Sequence, residues 1–163
     1  MNNTAAELPQ PTLDVIRYLQ SLHIEPVLYG SQGVSLYLGA FKKFEDTDLL
    51  VDPEWLNDRW PQLIAHMNDA GYNLTNEREH EFKNEREAAV AFADITILVK
   101  DGITTSLDDA ITKLQIGDIT LQTLTPHAFK RAYEFSAQDG YRIQTRNKKD
   151  QRVLELLTAY LAS

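Results

Sequence analysis

Val27-Leu28-Tyr29-Gly30-Ser31, followed by Phe44-Glu45-Asp46-Thr47-Asp48-Leu49-Leu50-Val51, is the stretch on which the fold turns. Val27 to Tyr29 reads as a short apolar strand that stops at Gly30-Ser31. Gln32 to Leu38 then reads as a short helix closed by Gly39. Phe44 to Val51 reads as the second strand. Side chains alternate across a strand, so Asp46, Asp48 and Leu50 share one face, and Thr47, Leu49 and Val51 the other. The order strand, tight turn, helix, strand is therefore expected, with two carboxylates projecting side by side.

Outward from this unit, residues 1–10 are polar and carry Pro9, which suggests a loosely held arm. Thr12 is placed to cap a helix running to about Leu22. After the acid pair, Asp52-Pro53 opens a helix with Trp55, Leu56, Trp60, Leu63, Ile64 and Met67 on its core side, ended by Gly71. Tyr72 to Phe82 and Glu87 to Val99 read as two strands joined near Lys83-Asn84-Glu85, and Leu114 to Leu121 as a hairpin around Gly117-Asp118. Residues 106–113 are ambiguous. Thr125-Pro126 starts a helix to about Ala137, and Asn147 to Ala162 forms the last one. The expected class is α+β: a central mixed sheet of about four to six strands flanked by helices, with helices closing the C-terminus. No repeat, low-complexity tract or linker divides the chain, so 1–163 reads as one domain with a helical part from 125 to 163.

Composition narrows the chemistry. A chain of 163 residues with 43% hydrophobic content buries a core without covalent staples. It has no cysteine, which excludes disulfides, thiolate metal sites and cysteine nucleophiles, and fits a reducing cytoplasm. No stretch approaches the roughly 18 apolar residues of a membrane span, so a cytoplasmic protein without a membrane partner is expected. A formal charge of −8 argues against broad adhesion to nucleic acid, although Arg142, Arg146, Lys148, Lys149 and Arg152 make a local basic cluster.

Two carboxylates on one strand face repel unless they are protonated, paired with bases or bridged by a cation. Magnesium takes hard oxygen ligands from one or two carboxylates plus phosphates and water, which Asp46 and Asp48 could supply; a solvated strand end is the alternative. Gly30-Ser31 lies where a strand gives way to a helix, and free N–H groups and the helix dipole there favour a phosphate. The same dipeptide also suits a plain strand-to-helix turn, and Gly33 a close helix contact. Asp94 is a lone acid in the apolar run Ala91-Phe92-Ala93-Asp94-Ile95-Thr96-Ile97, a costly position unless paired with a Lys or Arg or bound to metal.

The run from Tyr29 to Leu38 followed by the Glu-Asp-x-Asp strand resembles the nucleotidyltransferase superfamily motif, and is most similar to the minimal nucleotidyltransferases of the abortive-infection toxin type and to small antibiotic nucleotidyltransferases. The resemblance implies an enzyme that moves a nucleoside monophosphate from an NTP to an acceptor hydroxyl. It assigns Gly30 and Ser31 to the triphosphate, Asp46 and Asp48 to magnesium or manganese, and Asp94 to the metal or to activating the acceptor. The acceptor implied is a small molecule, with an RNA or protein hydroxyl as alternatives. Arg146-Asn147-Lys148-Lys149-Asp150 resembles the start of the closing helix of the toxin-type proteins, which makes Lys149 a candidate nucleotide contact, as are Lys130 and Asp150. This chain departs from that pattern at Val153, where a second acid often stands; ordinary helix charges are the alternative for all three.

The histidines His23, His66, His80 and His127 fall in separate elements without ligand-like spacing, and Glu77 to Glu87 reads as a solvated acidic hairpin. Tyr29 and Tyr37 flank the site, where each could stack on a base or pack in the core. A non-catalytic nucleotide- or protein-binding relative is the rival from another class. A phosphatase using Asp46 as nucleophile would place the acid pair on the first core strand, which the preceding Gly-Ser turn and helix contradict.

Overall fold

The computed structural model describes residues 8–39, 46–138 and 140–163; the side chains of 137–149 are not among those described. In chain order the elements are α1 (Gln10–Ser21), β1 (Val27–Tyr29), α2 (Gly30–Leu38), β2 (Thr47–Val51), a 3-10 turn (Pro53–Leu56) and α3 (Trp60–Asp69). They continue with β3 (Asn73–Asn76), β4 (Glu81–Lys83), β5 (Ala89–Asp94), α4 (Ile97–Lys100) and α5 (Leu107–Ala110). The last are β6 (Ile111–Ile116), β7 (Ile119–Leu124), α6 (Pro126–Gln138) and α7 (Gly140–Ala162). One sheet takes the strands in the order β3-β4-β5-β2-β1-β7-β6. β2/β5 and β1/β7 are parallel and the other pairings antiparallel, so the sheet is mixed, as expected.

The alternation in β2 sorts the core into two layers. Leu49 and Val51 join Leu28, Val90 and Phe92 beneath α1 and α3, packing on Val15, Ile16, Leu19, Leu63 and Met67. Leu50 points the other way with Val27 and Leu124, beneath α2, α6 and α7, and packs with Val34, Phe129, Val153 and Leu157. Gly33 lets α2 lie on the sheet: a Cβ there would meet Phe129 Cζ at 2.6 Å and Leu28 O and Thr123 Oγ1 at 3.0 Å. The packing reason for this glycine is thus realised.

Several expected boundaries move, each for a local reason. Leu8 is buried in the core and α1 begins at Gln10 after Pro9, so the expected arm does not extend through residues 8–10; residues 1–7 lie outside the described set. Thr12 does not cap α1 but is buried inside it. The helix expected from Pro53 is split, because Pro61 lacks an N–H and its ring clashes with the preceding turn; it falls instead in the tolerant first turn of α3. The single strand expected over 72–82 is itself a hairpin. Asn76 Oδ1 accepts the Glu79 N–H at 3.1 Å and His80 takes φ +52°, so a side chain makes the turn that no Gly or Pro announces. The strand expected to reach Val99 stops at Asp94, and Ile97–Lys100 is helical. The hairpin at Gly117 and the Thr125 cap, whose Oγ1 accepts the Ala128 N–H at 3.1 Å, stand as expected. α7 starts at Gly140 instead of Asn147.

Gly33→Ala is expected to cost about 1–3 kcal/mol, since neither the Leu28 carbonyl nor the Phe129 ring can withdraw without repacking; urea denaturation measures it. A second expectation concerns pH. Burial, and after it the neighbouring Tyr160, pushes the Tyr37 phenol well above its usual range. The Tyr37 hydroxyl also donates to Leu124 O at 2.7 Å. The unfolded chain releases this proton near the ordinary tyrosine value of 10.0 while the folded chain keeps it. The stabilisation is therefore complete below that pH and declines above it. Tyr37→Phe should flatten the fall in denaturation midpoint above about pH 10, against the unaltered chain.

Candidate active site

Antiparallel pairing of β1 with β2 sets Tyr29 opposite Asp48, so the next residue, Gly30, opens α2 against that carboxylate. Gly30 has φ +69°, and a Cβ built on it would collide with Asp48 Oδ2. Glycine is required here both for its backbone conformation and for the close approach. The N-cap residue of α2, Tyr29, makes no side-chain cap hydrogen bond, and Gly30 and Ser31 line a cleft of about 670 Å³. The N-terminal amides and the positive end of the helix dipole thus lie at the cleft wall, a setting suited to an anion.

Asp46 directly precedes β2 and lines the same cleft as Asp48, Gly30 and Ser31. The structure therefore brings the acid pair and the Gly-Ser turn together. Asp94 lines the cleft as well, but at a different level. In the parallel register of β2 with β5, Ala91 stands beside Asp48 and Asp94 beside Val51. Asp94 Oδ1 accepts the Thr96 N–H at 2.8 Å and the Thr96 hydroxyl at 2.6 Å, while Oδ2 lies 3.9 Å from Lys100 Nζ. The Asp94 side chain is 26% exposed, so the desolvation that argued for a ligand is relieved locally.

Among the described residues no group of three or more His, Cys, Asp and Glu is arranged to hold a metal ion. Asp46 and Asp48 nonetheless offer hard oxygen donors beside the Gly30-Ser31 turn. Such a pair fits magnesium when substrate phosphates and water complete the shell.

The cleft also holds a residue that the sequence undervalued. Asp150 is 3% exposed, lines the cleft, and its Oδ2 makes no hydrogen bond among the described residues. A buried carboxylate oxygen in this condition can accept from a hydrogen-bond donor or pair with a cation. Its weak sequence signal was the Lys149-Asp150 pair; the Lys149 side chain lies outside the described residues, as do those of Arg142, Arg146 and Lys148. Arg78, Glu79, His80 and Glu81 also reach the cleft, so the charged hairpin read as a solvated face forms part of the rim. Glu81 pairs with Ala91 on β5 and thus shares the face of Asp48 with only the small Ala91 between them. Lys130 pairs with Glu134 at 2.8 Å along α6. Tyr29 lines the cleft and stacks on Phe129, whereas Tyr37 packs between Phe129 and Tyr160 as a core residue. His66 and His80 pack against Trp55 and Trp60.

The uncharacterized protein YnaI of Bacillus subtilis (strain 168) is 31% identical to this chain over 141 residues, spanning 85% of this chain and 86% of YnaI. The chain belongs to the YnaI family. No family model matches it. Solved structures similar to this YnaI-family chain include the lincosamide antibiotic adenylyltransferase LnuA, lincomycin-bound, with a TM-score of 0.66 and 15% identity over 94% of this chain and 98% of LnuA. An antigenic nucleotidyltransferase-like protein from Paracoccidioides brasiliensis gives 0.62 and 14% over 90% of this chain and 73% of that one. ANT(2")-Ia in complex with adenylyl-2"-tobramycin gives 0.55 and 11% over 94% and 98%. This YnaI-family chain therefore has the nucleotidyltransferase fold. No helix among its described residues is long and apolar enough to cross a membrane.

Gly30→Ala tests the contact at the centre of the site. Left-handed strain costs about 1–2 kcal/mol, and the added methyl displaces the Asp48 carboxylate. Mn2+ affinity is expected to fall by more than the change in thermal stability accounts for, measured by metal titration beside thermal denaturation.

Proposed function

We propose that the chain is a magnesium- or manganese-dependent nucleotidyltransferase that moves a nucleoside monophosphate from an NTP to a hydroxyl of a small-molecule acceptor in the cytoplasm. The observation that carries this reading is the abutment of Gly30 on Asp48, which joins an anion-binding helix start to an acid pair in one cleft. Gly30 and Ser31 would receive the triphosphate through main-chain amides. Asp46 and Asp48 would hold the metal ion, which when bound supplies neutralisation of charge on the phosphates during in-line displacement. Asp150, whose buried Oδ2 makes no hydrogen bond among the described residues, would accept a hydrogen bond from the acceptor hydroxyl or pair with a cation; Asp94, tied to Thr96, would orient the far end of the cleft.

A small-molecule acceptor is supported by similarity to LnuA, solved with lincomycin, and to ANT(2")-Ia, solved with an adenylylated tobramycin. An RNA or protein hydroxyl is the alternative acceptor, reached through the basic cluster that ends at Arg152. A second reading, a nucleotide-binding module without turnover, is favoured by one observation: Asp94 Oδ1 is already engaged by the Thr96 N–H and hydroxyl.

Incubation with Mg2+, each common NTP and a panel of lincosamide, aminoglycoside and short RNA acceptors should release pyrophosphate. Asp48→Ala should lower that release by roughly a hundredfold or more. Binding of NTP and Mn2+ without pyrophosphate release across the panel would establish the module instead, and absence of both binding events would rule out the enzyme.

A further inference from the structure

Three polar side chains meet in the apolar layer between α1 and the sheet. Thr12 of α1, Gln32 of α2 and Thr47 of β2 are 1%, 3% and 4% exposed. The Thr12 hydroxyl donates to Gln32 Oε1 at 2.7 Å, and Gln32 Nε2 donates to Thr47 Oγ1 at 3.2 Å. With the Thr12 hydrogen so used, the 2.8 Å contact between the two hydroxyls has Thr47 as donor, and the ring closes with each group donating to the next. The second Nε2 hydrogen leaves the ring for the main-chain carbonyl of Asp46, at 3.2 Å. That carbonyl can only accept, which fixes the orientation of the Gln32 amide.

A buried polar ring is weak evidence of stability, since apolar side chains of equal volume hold such a place as well. Its outward bond is therefore the informative part. Gln32 rides on the same helix turn as Gly30 and Ser31, and it grips the backbone at Asp46 and the side chain at Thr47, on both of which the acid pair depends.

We propose that Gln32 is a positioning residue that locks the acid pair to the phosphate-binding turn. One rigid unit then presents Asp46 and Asp48 to a metal ion at a fixed separation from the amides that receive the triphosphate. Thr12 supports it by holding Oε1 and thus directing Nε2 at Asp46. The inference rests on the nucleotidyltransferase reading, and it makes metal and nucleotide binding mutually dependent through Gln32.

The test measures Mn2+ affinity of the full chain with and without a non-hydrolysable NTP analogue, beside thermal denaturation. Gln32→Met, which keeps the volume and removes both donors, is expected to weaken Mn2+ binding by about 10- to 100-fold and to diminish its enhancement by the analogue. Thr12→Val, a milder change that leaves the Asp46 bond possible, should give a smaller loss of the same kind. Ile16→Val, on the same face of α1, should lower the melting temperature without moving Mn2+ affinity. If the unaltered chain binds metal and nucleotide while Gln32→Met and Thr12→Val bind equally well, or lose affinity only in step with Ile16→Val, this inference is overturned alone. If the unaltered chain binds neither, the enzyme reading and this inference fall together.

Discussion

The close approach of Gly30 to the Asp48 carboxylate is the constraint around which the rest is arranged. It exists because β1 and β2 pair antiparallel with Tyr29 opposite Asp48, and because only glycine fits a positive φ against a neighbouring carboxylate. A shift of one residue in that register would send Asp48 to the α1 face and bring Leu49 to the cleft. The two-layer core prevents such a slip: Leu49 and Val51 are held beneath α1, and Leu50 beneath α2 and α6.

The apolar layers fix the strands, and polar contacts fix the ends of the strands, where chemistry takes place. Gln32 secures the entrance to β2 by bonding Asp46 O, while Asp94 ends β5 by accepting from Thr96. These two carboxylate-bearing ends behave differently. The first leaves its acids beside the helix start; the second uses its acid to turn the chain. Asp150 enters the cleft from α7, buried and with its Oδ2 making no hydrogen bond among the described residues.

The strand-turn-helix-strand unit, its inward and outward faces, the Gly33 contact and the Thr125 cap were legible because each depends on neighbours within a few positions. The 77–80 turn was not, since Asn76 makes it with a side chain in a run without Gly or Pro. The early end of β5 was hidden for the same reason, Asp94 being the residue that ends the strand. The buried placement of Thr12 was missed because its value as a helix cap is local, whereas its partners Gln32 and Thr47 come from other elements.

The sequence by itself determined that two carboxylates project from one strand face and that a Gly-Ser turn precedes them, because backbone alternation and the steric freedom of glycine are local properties. Only the tertiary structure decided which further acids share the cleft and in what condition. Strand register set Ala91, rather than Asp94, beside Asp48, and helix packing delivered Asp150 buried, its Oδ2 without a hydrogen bond among the described residues. Register and packing are settled by contacts between residues far apart in the chain, and no local pattern carries them.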